Sequence, residues 1–382
     1  MTDPMIQVLQ PVVGQDELLR IRDVLESKWL GKGQVVRDFE AQFAKYVSTD
    51  PQQVISTTCG TEAIFLAGDV FDFREGDEIL APSISFIAVG SSVVAKHARL
   101  VLCDVDRRSL NATVDNIRAK ISSRTKAVIL THYGGYPCDM DSILDLCRSR
   151  GILVIEDSAC ATSSRYKGKA CGTLADMGLW SFEAGKIITT GDGGMLYFSS
   201  HDHVRVAKEY LYLGLSGREK SGMDRAVSGN ACWWEVQVER PGRRAVMNNL
   251  AAAIGLAQLQ HIHDFVERRK AIDDRYRKEL ASCSWMTLPP LSTPETESSY
   301  YFFWVQVERR DELAWFLREH GVYSTFRYWP LHKVRYFQQS ADGLPNAEYA
   351  SQHTLNLPLH HGLSDDDVTK VIDLVKRFGG KG

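Results

Sequence analysis

The sequence predicts an α/β protein, with a large domain built on a mixed, mostly parallel sheet flanked by helices and a smaller C-terminal α+β domain. Three observations carry that reading. Apolar runs undiluted by alternating polar residues recur through the first two-thirds of the chain, as strands covered on both faces require. Helix-periodic segments separate those runs, so strand and helix alternate. The pattern changes near residue 260, where an Ala- and Leu-rich stretch becomes strongly charged.

In order, the strands read as VISTT (54–58), EIL (78–80), LVLCDV (100–105), AVILTHY (127–133), ILVIED (152–157) and GLWSF (178–182), with a further run from Met195 to Phe198. Between the fourth and fifth, Met140, Ile143, Leu144 and Cys147 recur at helical spacing. Residues 248–280 read as one long helix or two. Beyond them lie a stretch containing Pro and Ser (288–299), an aromatic strand YYFFWVQV (300–307) and two more helical segments. The expected domains are therefore 1–260, with an N-terminal arm, and 261–382. No internal repeat or low-complexity segment interrupts them.

An apolar fraction of 44% and a charged fraction of 24% suit a soluble globular protein. Lys and Arg (45) nearly balance Asp and Glu (48), leaving a formal charge of −3 and no broad basic field for nucleic acid or an acidic membrane. The eight cysteines form no CxxC pair and fit buried thiols in a reducing compartment; no metal is expected. No basic segment followed by a long apolar stretch opens the chain, and no run of 18 apolar residues occurs. The expected location is the cytoplasm.

In an open parallel sheet, ligands bind beyond the carboxyl ends of the strands. After the first strand, Gly60 and Thr61 open a helix in CGTEAIFLA, where they serve either as a plain cap or as an anion-binding turn. Phe86 ends the connection APSISF and is either core or a flat aromatic wall. Asp157 ends ILVIED, ahead of the small residues SACA, as a cap or as a partner for a protonated heterocyclic nitrogen. In SFEAGKIITTGDGGM (181–195), Lys186 sits on a tight connection between two strand-like runs. Taken singly it is a solvated surface charge. Together, the four features are what pyridoxal 5′-phosphate requires: a lysine to form the Schiff base and shuttle a proton, a carboxylate on the ring nitrogen, an aromatic face and a phosphate turn.

The chain resembles the DegT/StrS family of fold type I pyridoxal-phosphate enzymes, best known as nucleotide-sugar aminotransferases, almost end to end. The resemblance rests on KWLGKGQVVRDFEAQFAKYV (28–47), CGTEAI (59–64), DEILAPSISFIAV (77–89), LTHYGGYPCDMD (130–141), VIEDSACA (154–161), GDGGML (191–196), MNNLAAAIGLAQL (247–259), RYWPLH (327–332) and LNLPLHHGLSDDDV (355–368). It implies Lys186 as the Schiff-base lysine and Asp157 on the ring nitrogen. Gly60, Thr61 and Ser181 would contact the phosphate, with Phe86 on one ring face and Ala159 on the other. A homodimer with its active sites at the subunit interface is implied as well.

Two departures stand out. Where the family usually has His or Gln, this chain has Cys160, a poorer hydrogen-bond partner for the cofactor's ring hydroxyl. Where the family commonly shows GxNxRM, this chain has GRRAVM, which puts Arg244 at the position of the Asn that reaches the neighbouring subunit's cofactor phosphate. Trp233 and Trp234 are either core or stacking surfaces for a sugar or base, and Arg327 and His332 are expected at a substrate's anionic groups.

The implied activity is transfer of an amino group, with glutamate as the expected donor, to a nucleotide-linked 4-keto-6-deoxyhexose. Other keto substrates stay open: 3-keto sugars, keto-inositols, an eight-carbon keto-aldonic acid and small keto-phosphates. Related sugar dehydratases carry histidine at the lysine position, and a sensory relative would be expected to lose the lysine or the aspartate. Lys186 and Asp157 argue against both.

Overall fold

The computed structural model of the chain describes residues 5–215, 232, 234–337 and 342–380. Each of the seven predicted runs holds a strand: β1 (Val54–Thr57), β2 (Glu78–Pro82), β3 (Arg99–Cys103), β4 (Thr125–Thr131), β5 (Leu153–Asp157) and, past a short hairpin β6 (Arg165–Tyr166) and β7 (Lys169–Ala170), β8 (Met177–Ser181) and β9 (Gly194–Phe198). They form one sheet in the order β1-β9-β8-β5-β4-β2-β3. Only β9 runs against the other six. Six strands therefore present their carboxyl ends at the same edge.

The apolar runs lack polar alternation because both faces of the sheet are covered. Ile79, Ala81, Ile129, Ile155 and Leu179 point into one core, while their neighbours Leu80, Val128, Leu130 and Val154 point into a second on the opposite face. The helix Met140–Arg148 buries the four residues whose spacing predicts it. The 248–280 segment is two helices, Asn249–Gln260 and Ile262–Leu280, which meet at His261. The first packs on the helices Gln15–Ser27 and Gln34–Tyr46; the second packs on Asp365–Gly379.

A three-stranded antiparallel sheet, β10 (Met286–Thr287), β12 (Phe303–Val307) and β13 (Thr354–Leu357), anchors a third core with the last helices; β11 (Thr296–Glu297) instead pairs with β6. The predicted strand 300–307 is shorter than expected, since residues 300–302 leave the ladder. The amides of Tyr301 and Phe302 both donate to the carbonyl of Gly134, at 3.1 and 3.2 Å. That approach needs the glycine pair after β4: a Cβ on Gly134 would lie 2.6 Å from the Trp304 ring, and one on Gly135 2.1 Å from Ser299 Oγ. Tyr301, Phe302 and Trp304 thereby join the core of the large sheet, and Ile6 of the N-terminal arm joins the third core. Core packing thus ties the two halves of the chain together in both directions. No helix among the described residues is long and apolar enough to cross a membrane.

Candidate active site

The strand-end edge gathers residues that are far apart in sequence. Asp157 closes β5, Ser181 closes β8, Cys59 and Gly60 follow β1, and Phe86 follows β2. Gly194, at the start of the reversed strand β9, registers with both Ser181 and Thr57. Its missing side chain matters, because a Cβ there would come within 2.8 Å of the Cys59 backbone. That is the structural use of the GDGG stretch.

Lys186, far from being a surface charge, is only 9% exposed. Its Nζ lies 3.8 Å from Cys160 Sγ and 4.8 Å from the centre of the Tyr301 ring. Burial works against the ammonium, but Cys160, Tyr301, Asp157 and Glu183 outweigh it and hold Lys186 above the usual lysine range. Asp157 is buried and accepts the backbone N–H of Ala159 at 3.0 Å. Burial raises its carboxyl above the usual range, while that N–H and the charges of Lys186 and His132 pull it down. A buried carboxylate facing two basic groups is suited to a further cationic partner.

Cys160 also lies 3.4 Å from Tyr328 Oη, and burial raises its thiol pKa. The Tyr328 ring meets Phe86 edge-on at 5.5 Å, and Phe86, at 44% exposed, is not a core residue. Sequence reasoning missed Tyr301 and Tyr328 at this place. The second stands inside RYWPLH and was within reach; the first reads locally as a strand residue.

Gly60 and Ser181 meet directly, since a Cβ on Gly60 would lie 2.7 Å from Ser181 Cβ and 3.0 Å from its Oγ. Cys59 caps the helix Gly60–Val70 through its Sγ, which accepts the Glu62 N–H at 3.3 Å. The start of the helix Gly60–Val70 and the Ser181 hydroxyl thus lie side by side, and unpaired N–H groups beside a hydroxyl suit an anion. Gly60→Ala should destabilise the fold by about 1–3 kcal/mol, because Ser181 must move to admit the methyl group. Urea denaturation of both proteins measures this, and equal midpoints would show that Ser181 gives way freely.

The remaining predicted residues are placed unevenly. Arg244 is exposed, its guanidinium 5.8 Å from the Tyr212 ring. Its neighbour Arg243 is engaged by Glu62 at 2.5 Å and Asp69 at 2.8 Å. Trp234 is 62% exposed, so it is not core; Trp233 lies outside the described residues. Arg327 is half-buried beside the site, and Tyr133 Oη donates to its carbonyl.

His332 needs a correction. Expected at a substrate's anionic group, it is 3% exposed, with Nδ1 2.6 Å from Ser83 Oγ and Nε2 2.6 Å from Glu348. Both ring nitrogens are used inside the fold. The side chain ties the end of β2 to the helix Pro345–His353, and none of it is left for substrate.

Residues 11–376 match the sequence profile of the DegT/DnrJ/EryC1/StrS aminotransferase family. The chain belongs to that family. Among its DegT/DnrJ/EryC1/StrS relatives, the dTDP-4-dehydro-2,3,6-trideoxy-D-glucose 4-aminotransferase of Saccharopolyspora spinosa is 43% identical over 371 residues, covering 97% of this chain and 95% of the relative. A GDP-perosamine synthase of Escherichia coli O157:H7 is 30% identical, with 98% of each chain covered. The crystal structure of the aminotransferase TlmJ from Streptoalloteichus hindustanus superposes with a TM-score of 0.93 at 44% identity, covering 99% of each chain.

The residues of this DegT/DnrJ/EryC1/StrS chain fit pyridoxal phosphate on their own geometry. Gly60 and Ser181, side by side at a helix start, suit a phosphate, Asp157 suits a ring N–H, and the Lys186 amine stands close enough to Asp157 for each to shift the other's pKa. Ser158 Oγ, buried next to Asp157, has no partner among the described residues.

Proposed function

We propose that this protein is a pyridoxal-phosphate-dependent aminotransferase that moves an amino group from glutamate to the keto carbon of a nucleotide-linked 4-keto-6-deoxyhexose. The observation that carries this reading is a buried lysine beside a buried strand-end carboxylate, in a chain 43% identical to a relative named for 4-amino transfer to a dTDP-linked keto sugar.

When bound, the cofactor supplies an electron sink that labilises the donor's α-proton. The work of the chain's own residues divides as follows. Lys186 would hold the cofactor through its amine and, when that amine is free, would move the donor's proton with its Nζ. Asp157 keeps the ring nitrogen protonated through a charge-assisted hydrogen bond. Gly60, Thr61 and Ser181 hold the phosphate, Phe86 and Ala159 cover the two ring faces, and Cys160 stands nearest the ring hydroxyl. Trp233, Trp234 and Arg327 are assigned to the sugar nucleotide.

The chain acts as a homodimer, in which Arg244 reaches the phosphate of the cofactor held by the other subunit. An arginine neutralises that phosphate more strongly than the family's amide. Arg244→Ala should lose cofactor on dialysis, and lose more of it when the dimer is diluted, with the monomer fold intact. Unchanged occupancy by absorbance would leave Arg244 without a phosphate role.

Incubation with pyridoxal phosphate, glutamate and a dTDP-linked 4-keto-6-deoxyhexose tests the whole reading. The expected products are 2-oxoglutarate and the 4-amino sugar nucleotide, found by mass spectrometry. Amino transfer to a keto-inositol but to no nucleotide-linked ketone would overturn the substrate assignment.

A further inference from the structure

Tyr301 has no part in the chemistry derived above, yet it is the aromatic ring over which the lysine amine sits. It is 1% exposed, and Lys186 Nζ lies 4.8 Å from its ring centre, inside the range in which a π-face attracts an ammonium. The other end of the residue is idle, for Tyr301 Oη is buried with no hydrogen-bond partner among the described residues. The face of the ring, not its hydroxyl, is what the fold uses. The ring is also held firmly. Its backbone N–H is bonded to Gly134, and Ser299 Oγ, two residues earlier, donates to the Cys160 carbonyl at 2.7 Å.

We infer that Tyr301 is a positioning residue, whose ring face holds the amine of Lys186 whenever that amine is free of the cofactor and carries a proton. The inference rests on the reading of Lys186 as the cofactor-bonding lysine. During amino transfer, Nζ takes a proton from the donor's α-carbon, is an ammonium while it keeps that proton, and then returns it. A π-face at 4.8 Å favours the ammonium and keeps it at the pocket instead of letting it swing towards solvent. Several other groups bear on the same amine: Asp157 at the end of β5, Cys160 just after it, and Glu183 after β8. Tyr328 and Arg327 bear on Cys160, and Arg327 bears on Tyr301 as well. Arg269, 5.9 Å from the Tyr301 ring, donates to three backbone carbonyls.

The test uses protein loaded with pyridoxamine phosphate, in which Lys186 is free. Its reaction with a small acylating reagent is followed across pH by mass spectrometry of the Lys186 peptide. Tyr301→Leu should lower the midpoint by about one pH unit, so that labelling at a fixed pH below it rises ~tenfold. Tyr301→Phe, which keeps the ring, should stay within about twofold of the wild type on the same scale. Tyr301→Met fills similar space without a π-face and replaces the Leu variant if circular dichroism shows that variant unfolded. Wild-type labelling in the ring-free variant overturns the inference, and so does a Phe variant that behaves like it, because the hydroxyl would then be the active part. Borohydride reduction of the pyridoxal form serves as the control: cofactor found on a lysine other than Lys186 sinks the underlying reading instead.

Discussion

Lys186→Ala should abolish turnover, with kcat falling on the order of 10²- to 10⁴-fold from the loss of proton transfer alone. Covalent attachment of the cofactor is lost in addition, so the protein should be colourless after dialysis and carry no reducible link to pyridoxal phosphate. The structural ground is that nothing else can substitute. Nζ is buried, and the nearest side chains around it are a thiol, a tyrosine ring and carboxylates, none of them a second amine. The variant should fold, because deleting the side chain of Lys186 removes a buried ammonium that forms no salt bridge among the described residues. Steady-state kinetics and borohydride labelling check the two parts separately. A variant that transaminates within about tenfold of the wild type would remove Lys186 from the mechanism.

How much of this was legible in the sequence depends on the range of the contacts involved. The seven large-sheet strands are visible because burial on both faces leaves continuous apolar runs, and Met140 to Cys147 because one helix face repeats locally. The positions of Asp157, Gly60 and Lys186 are legible because Asp157 ends β5 and the other two lie in the connections that follow β1 and β8, and six strand ends share one edge. Tyr301 was not. It reaches the site only because two glycines after β4 admit the 299–302 segment more than 160 residues later, a contact that no periodicity encodes. His332 failed in the opposite way. A histidine in a motif suggests ligand contact, but Ser83 and Glu348 occupy both of its nitrogens, and neither partner is near it in sequence. GRRAVM was half legible: two adjacent arginines look equivalent as letters, and only the fold separates Arg243, paired with Glu62 and Asp69, from the exposed Arg244.

Asp157→Asn should keep the fold and bind the cofactor, yet lose most of its activity. The carboxylate is buried at the end of β5, where it accepts the Ala159 N–H, a bond that an amide oxygen can accept too. Burial raises the Asp157 carboxyl, and positive charge facing it, as from Lys186 and His132, works in the opposite direction. A protonated ring nitrogen is such a charge. The stabilisation is mutual: the anion raises the basicity of the nitrogen, and the nitrogen lowers the pKa of the acid. Asparagine is isosteric but neutral, so the proton leaves the ring and the electron sink weakens. The lost charge-assisted bond alone is worth about 1.5–3 kcal/mol, which is more than tenfold and up to roughly a hundredfold in rate. Because Asp157 is needed as an anion, wild-type activity should fall as pH drops through its pKa in the loaded enzyme, and the variant should lack that acid limb. Cofactor occupancy measured alongside kcat separates chemistry from binding. A variant that is fully loaded and within about twofold of wild-type activity would mean that another residue holds the ring nitrogen.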